Sequence, residues 1–159
     1  MKLLSKFTYW KTLKIIAWVL RFAGNAQCTL DQRVTGPVTT TELEKAERLL
    51  TLQGQQQIDE KFAEDQLRLN LQANKDGVLE CRGRVQGLYP VYIPGSSVWA
   101  RKFVEHVHKS TLHGGVRLTM VKVRERHWIP RLRHLVKRVV KDCHGCKRFH
   151  AIAYASPPP

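Results

Sequence analysis

The stretch HKSTLHGGVRLTMVKVRERHWIPRLRHLVKRVVKDCHGC, residues 108–146, begins with two histidines and ends with two cysteines. Its spacing is His-x4-His-x29-Cys-x2-Cys, formed by His108, His113, Cys143 and Cys146. Two imidazole nitrogens and two thiolates make a tetrahedral zinc set, and a Cys-x-x-Cys pair is a compact chelating unit. The spacing therefore predicts one structural Zn²⁺ ion bound by these four side chains.

Other interpretations of these residues remain open. The chain has seven histidines, so a His pair can arise by chance, and His106 could replace His108 although it lies earlier along the chain. The thiols could be unrelated, or a redox pair, but a redox Cys-x-x-Cys normally lies in a βαβ setting that this sequence lacks. His144, between the cysteines, is expected to face solvent. Four protein ligands leave no open position on the metal, which argues against zinc catalysis.

The sequence around these ligands is typical of three short helices. Gly114-Gly115 separates the first from the second, and Pro130 suits the first turn of the third. The third carries an apolar stripe at helical spacing: Leu132, Leu135, Val136, Val139 and Val140. Histidines five residues apart do not share a helical face, so we expect His108 on the last turn of its helix and His113 just beyond it. So small a core rarely folds without a cross-link, which a metal supplies.

Upstream, the sequence predicts longer helices and one hairpin. An N-terminal amphipathic helix is indicated by apolar residues at helical spacing: Leu3, Phe7, Trp10, Leu13, Ala17 and Leu20. Thr41 and Glu44 have the spacing of a capping box, which predicts the start of a polar helix running to about Leu69. Two strands over 78–85 and 88–93 are predicted to form a β-hairpin.

The predicted fold is mainly α with a small β-hairpin, and long helices precede a zinc-stabilised three-helix bundle of helix-turn-helix type. The six predicted segments are an amphipathic helix (1–24), a linker (25–40), a polar helical spacer (41–74), a β-hairpin (75–95), a zinc-binding domain (96–150) and a proline-rich tail (151–159).

Positive charge is concentrated near the C-terminal end. Of the net charge of +14, residues 101–148 supply +11, from 14 Lys/Arg against three acids. Such a field favours a polyanionic partner, of which nucleic acid is the commonest; a solubilising surface is the alternative. The longest uncharged run in the apolar N-terminal part is Ile15–Leu20, far short of the ~20 residues of a spanning helix. Lys11 and Lys14 interrupt the apolar run that a signal peptide needs, so we expect an intracellular protein.

Four features of the sequence together carry a family resemblance: His108 and His113 with Gly114-Gly115, Arg124 followed by His127-Trp128-Ile129-Pro130, Arg133 with Val136, and Cys143 and Cys146 with Arg148. With them, the chain resembles the His-His-Cys-Cys zinc domain at the N-terminus of retroelement integrases and is most similar to the BEL/Pao retrotransposon group. The hairpin, with Asp76-Gly77 and Gly83-Arg84, resembles the segment preceding that domain. The N-terminal helices resemble, more weakly, the polyprotein region before the integrase.

This resemblance implies a module of a retrotransposon integrase that contacts DNA, self-associates and works in the nucleus. Seven basic residues are then candidate nucleic-acid contacts, with a solvated face as the alternative: Arg117, Arg124, Arg131, Lys137, Arg138, Lys141 and Arg148. Neither a small-molecule substrate nor a membrane span is expected.

Two departures from the family pattern limit these implications. The family's Asp-Asp-Glu catalytic core would begin where this sequence ends, at Pro159, so no strand-transfer activity is expected from this polypeptide alone. Glu80 stands where a basic residue is common in the family. The alternative function is a zinc-stabilised protein–protein interaction module without relevant DNA affinity, with Trp99, Trp128 and the N-terminal helix as its interface.

Overall fold

The computed structural model of the chain describes residues 2–56, 62–83, 87 and 89–149. In chain order its helices and strands are α1 (Lys2–Lys6), α2 (Tyr9–Ala26), a short 3₁₀ helix (Leu30–Gln32), α3 (Thr40–Gln55), α4 (Phe62–Leu69), β1 (Leu71–Ala73), β2 (Leu79–Cys81), β3 (Val91–Tyr92), α5 (Val98–Ser110), α6 (Gly115–Arg124), β4 (His127–Trp128), α7 (Leu132–Asp142) and α8 (His144–Phe149). The predicted mainly helical fold with a small sheet is confirmed. The boundaries of the six segments stay predictions, and the tail 151–159 lies outside the described residues.

The N-terminal amphipathic segment forms two helices rather than one. Thr8 is extended (φ −68°, ψ 156°), and its hydroxyl accepts a hydrogen bond from the Lys11 amide, so the chain restarts as α2. The buried face of α2 includes Leu13 and Ala17, whereas Trp10 of the predicted stripe is 45% exposed. Within the described residues, no helix has both the length and the apolar character needed to cross a bilayer.

The predicted capping box at the start of the third helix is wrong by two residues. The N-cap is Thr39, whose amide and hydroxyl both donate to the Glu42 carboxylate, at 2.8 and 2.9 Å. Arg21 of α2 makes a two-pronged pair with the same carboxylate and also donates to the Gly36 carbonyl oxygen. This contact with α2 selects Glu42 over Glu44, which is exposed.

Acid should weaken the contact between α2 and α3. The Arg21 guanidinium and the Thr39 amide lower the pKa of Glu42 from 4.5 to about 2. The unfolded chain binds a proton at Glu42 more readily than the folded chain does. The stability that the Glu42 carboxylate contributes is therefore fully present above pH about 4.5 and is lost as the pH falls towards about 2. We expect Glu42→Gln to lower the thermal midpoint at neutral pH and to flatten its decline over this range.

Glu44→Gln is the matched control for that measurement, since it removes the same charge from an exposed carboxylate two residues further along α3. Thermal melts of the wild-type chain and both variants between pH 2 and pH 7 check the expectation. A Glu42→Gln curve that runs parallel to the wild-type curve at all these pH values would contradict it.

In the described part of the chain the sheet has four strands instead of the two of the predicted hairpin, in the order β1-β2-β3-β4. β1 lies within the segment predicted as a helical spacer, because Asn74 forms a turn in which its side-chain oxygen accepts from the Asp76 and Val78 amides. This turn pairs β1 with β2, and β2 pairs with β3 as predicted. Residues 84–86 and 88 of the predicted hairpin lie outside the described residues. β4 runs parallel to β3 and joins the sheet to the C-terminal helices.

The larger of two hydrophobic clusters in the described residues extends from the N-terminal helices to α7. Its buried members from separate parts of the chain include Leu13, Leu50, Trp99, Val104 and Val136. α5, α6 and α7 all contact one another, and α2 and α3 pack on α5. The polar helical spacer is therefore also a packing partner of the C-terminal helices.

An aromatic cluster lies at the contact between α2 and α5. The Tyr9 ring is 5.9 Å from that of Trp99, 5.4 Å from that of Phe103 and 5.2 Å from that of His106. The Tyr9 hydroxyl donates to Glu47 of α3 at 2.6 Å. Three helices that are distant in sequence therefore meet around one tyrosine.

Candidate metal centre

The histidine side of the centre is shaped by the end of α5. His108 is on the last turn of α5, as predicted, and is 1% exposed. The chain then turns through left-handed Leu112 (φ 52°) and His113 (φ 60°) before α6 begins at Gly115, also at positive φ (78°). The His113 amide donates to the His108 carbonyl oxygen at 3.0 Å. This turn brings two histidines that are five residues apart to the same point in space.

The cysteine side is formed where α7 ends and α8 begins. Cys143 caps the end of α7, and Cys146 lies in α8 and is 7% exposed. Gly145 lies against the His113 ring: a Cβ atom there would be 3.2 Å from Cε1 of that ring. The glycine therefore allows close packing of the Cys-x-x-Cys loop on the second histidine.

The four predicted ligand side chains converge on one point. His108 Nε2 is 3.1 Å from His113 Nδ1 and 3.2 Å from Cys146 Sγ. His113 Nδ1 is 3.3 Å from Cys143 Sγ and 3.6 Å from Cys146 Sγ. All four ligand atoms lie within 4.8 Å of one another.

These separations fit one zinc ion. Zinc bonds of about 2.0 Å to nitrogen and about 2.3 Å to sulfur at tetrahedral angles separate neighbouring ligand atoms by about 3.3–3.8 Å. An N₂S₂ donor set is typical of structural zinc sites, and four protein ligands complete the coordination. The group formed by His108, His113, Cys143 and Cys146 is thus consistent with the predicted single Zn²⁺ ion.

The surroundings favour the metal-binding protonation state of His108 and Cys143 and oppose that of Cys146. Burial lowers the pKa of His108, which keeps its imidazole neutral. The backbone amide of Cys146 lowers the pKa of Cys143, since an N–H···S hydrogen bond stabilises the thiolate. Burial raises the pKa of the Cys146 thiol, so a cation at the centre is the compensating charge for its thiolate.

Comparison with known families identifies this region. Residues 97–151 match the model of the family described as the integrase zinc binding domain, and all four ligand residues fall in the match. The zinc centre belongs to an integrase zinc-binding domain. The family comparison shows this domain alone and no catalytic core. Neither the curated proteins nor the solved structures gave a match.

The other histidines considered from the sequence lie outside the centre of the integrase zinc-binding domain. His106 stacks between Tyr9 and Trp10, with ring separations of 5.2 and 6.3 Å, so it does not replace His108. His144 is exposed, as expected. Among the residues that the structure describes, the two remaining cysteines, Cys28 and Cys81, belong to no group of three or more metal-ligand side chains.

The seven candidate nucleic-acid contacts are all exposed on the domain. Arg117 and Arg124 lie on α6, two turns apart on one face, and Lys137, Arg138 and Lys141 lie on the side of α7 opposite its buried stripe. Arg131 is the left-handed residue (φ 52°) that precedes α7. Arg148 lies on α8. Because Arg131 is the N-cap of α7, Pro130 precedes the cap instead of lying in the first turn of the helix, which corrects the predicted start of α7.

One residue beside the centre was not predicted. Thr119 is fully buried in α6, and its hydroxyl oxygen is 3.4 Å from His108 Nδ1. The available sequence signal was its position between Val116 and Val123, where the helical spacing places a polar side chain on the inward face.

Proposed function

We propose that this chain is a zinc-dependent DNA-binding and assembly module of a retrotransposon integrase. The integrase zinc-binding domain of residues 97–151 supports the retroelement origin. The observation that supports contact with DNA is the distribution of ion pairs in this domain.

The acids of the domain are already paired with cations outside the candidate contacts. Glu105 accepts from Arg101 and Lys102, at 3.1 and 3.2 Å, and Asp142 accepts from Arg101 at 3.3 Å. Glu125, the third acid of residues 101–148, pairs with Lys122 at 2.8 Å. No candidate contact forms an ion pair within the described part of the chain. Their seven charges are therefore uncompensated, and a phosphate backbone supplies the opposite charge.

Binding of duplex DNA should be steeply salt-dependent. Each phosphate contact releases condensed counterions, so the logarithm of affinity should fall with the logarithm of salt concentration with a slope of about −0.9 per contact. We expect the triple variant Lys137→Gln/Arg138→Gln/Lys141→Gln to bind more weakly and to reduce this slope by about two to three. Fluorescence anisotropy titrations with zinc-loaded protein at several salt concentrations measure both effects.

A charge-matched control is Lys6→Gln/Lys11→Gln/Lys14→Gln on α1 and α2, which should leave the slope nearly unchanged. Equal losses in the two triple variants would mean that binding follows net charge alone. An affinity that hardly varies with salt would rule out phosphate contact.

The alternative function is a protein–protein interaction module without DNA affinity. The exposed aromatic side chains available for such an interface differ from those expected from the sequence. Trp99 is fully buried and cannot belong to an interface, which corrects that part of the expectation. Trp128 is 39% exposed, and α2 exposes Trp18 and Phe22. Loss of self-association or partner binding in Trp18→Ala/Phe22→Ala, together with salt-independent DNA binding, would favour this alternative.

Assignment to the BEL/Pao group and a nuclear location are finer parts of the proposal. They rest on the sequence resemblance, of which residues 75–159 are the specific part. A full-length fluorescent fusion that stays outside the nucleus would contradict the proposed location.

A further inference from the structure

Thr119 lies on α6 beside His108 of the metal centre. Its hydroxyl oxygen is 2.7 Å from the Gly115 carbonyl oxygen and 3.4 Å from His108 Nδ1. The other nitrogen of the same ring, His108 Nε2, faces His113 and Cys146 at 3.1 and 3.2 Å. Thr119 is 0% exposed, so water does not compete for its hydroxyl.

The hydrogen bonds of this hydroxyl determine which ring nitrogen carries the proton. A hydroxyl has one proton to donate, and the Gly115 carbonyl oxygen is an acceptor only. When Thr119 donates to Gly115, its oxygen can only accept from His108, so Nδ1 must carry hydrogen. Nε2, which faces His113 and Cys146, is then unprotonated, as metal coordination requires.

The same hydroxyl is connected to the second histidine through the backbone. The Gly115 amide donates to the His113 carbonyl oxygen at 2.7 Å, in the turn where both residues have positive φ. Thr119 therefore contacts the ring of one histidine and the turn that carries the other.

We propose that Thr119 is a positioning residue for the zinc centre, which selects the Nδ1–H tautomer of His108 and orients both histidine ligands. The proposal rests on the zinc centre and is independent of DNA binding. It goes beyond ordinary helix geometry, in which a buried threonine simply donates to the carbonyl oxygen four residues earlier.

Thr12 is a matched control for that ordinary geometry. It is also 0% exposed, and its hydroxyl donates to the Thr8 carbonyl oxygen four residues earlier at 3.0 Å. It lies in α2, and among the described residues its side chain forms no hydrogen bond with a ligand residue. Substituting it measures the loss of such a helical bond alone.

The experiment compares the full-length wild-type chain with Thr119→Val, Thr119→Ser and Thr12→Val. Zinc affinity is measured by competition with a chromophoric chelator, and Co²⁺ absorption reports the ligand field. Supporting residues of metal ligands typically change affinity about 10–100-fold, so we expect that loss in Thr119→Val together with an altered Co²⁺ spectrum. Thr119→Ser should stay close to wild type in both readouts, and Thr12→Val should leave them unchanged.

Long-range ¹H–¹⁵N spectra of the zinc-loaded wild-type chain test the tautomer directly and do not depend on the folding of any variant. A protonated His108 Nδ1 is expected. A protonated His108 Nε2 would overturn the proposal, as would Thr119→Val with wild-type affinity or Thr119→Ser as weak as Thr119→Val. If Thr119→Val does not fold, the wild-type spectrum and Thr119→Ser decide.

Discussion

Removal of zinc is expected to unfold the C-terminal helices of the full-length chain. The ligands join the end of α5 to α7 and α8, so that the metal links elements between which the chain has no other covalent cross-link. Structural zinc sites contribute an apparent binding free energy of about 10–16 kcal/mol at neutral pH, which is as large as the whole stability of an ordinary domain, about 5–15 kcal/mol. Excess chelator should therefore abolish much of the far-UV circular dichroism, and added zinc should restore it.

Single substitutions can separate ligand loss from general damage. His113→Gln and Cys146→Ser should each prevent zinc-dependent folding, because three ligands bind more weakly and a buried polar group loses its partner. His144→Gln and Cys28→Ser, which change the same residue types outside the ligand group, should fold with zinc like the wild type. A helical signal that survives complete zinc removal, or that falls equally in all four variants, would contradict a structural metal.

The ligand residues could be predicted because each pair is recognisable from residue types at short spacing, His-x4-His and Cys-x2-Cys. The spacing of His108 and His113 excludes a shared helical face, and Gly114-Gly115 offers the necessary bend, so residue identities alone indicated the turn. The structure adds the left-handed conformations that complete this turn. It also adds Thr119, which could not be assigned a role because its partner, His108, lies across the turn on another helix.

Contacts between distant segments account for the incorrect predictions. Thr39 with Glu42 and Thr41 with Glu44 are both acceptable capping pairs by sequence, and only Arg21 of α2 distinguishes them. β4 has just two residues and forms only because β3 lies beside it. Neither partner can be identified from residues close to these positions.

Trp99 shows the same limitation in a helix. The apolar spacing of α5 indicates its buried side, but not whether that side faces this chain or another protein. The structure supplies Tyr9, ninety residues earlier, as the partner. A residue that was assigned to an interface is therefore central to the core, and its substitution tests the packing of α2 on α5.

Trp99→Ala is expected to destabilise the chain by about 3–5 kcal/mol, the usual cost of removing a large buried aromatic side chain. Trp99 is 0% exposed, and its ring lies 4.8 Å from that of Phe103 and 5.3 Å from that of His127. Its indole N–H has no hydrogen-bond partner among the described residues, so the loss arises from packing. Trp99→Phe should accordingly cost less than Trp99→Ala.

Urea unfolding of the zinc-loaded chain, followed by circular dichroism, measures this loss. Trp18→Ala is the control, since Trp18 is 50% exposed and its ring centre lies 4.7 Å from the Arg21 guanidinium, a contact worth about 1 kcal/mol or less. Metal binding and folding share one free energy, so Trp99→Ala should also weaken apparent zinc binding by about two to four orders of magnitude, at about 1.4 kcal/mol for each tenfold. Trp99 lies on α5, the helix that carries His108, and shares a core with α2. Unchanged zinc affinity in a destabilised Trp99→Ala chain would therefore mean that metal binding is not coupled to the packing around Trp99.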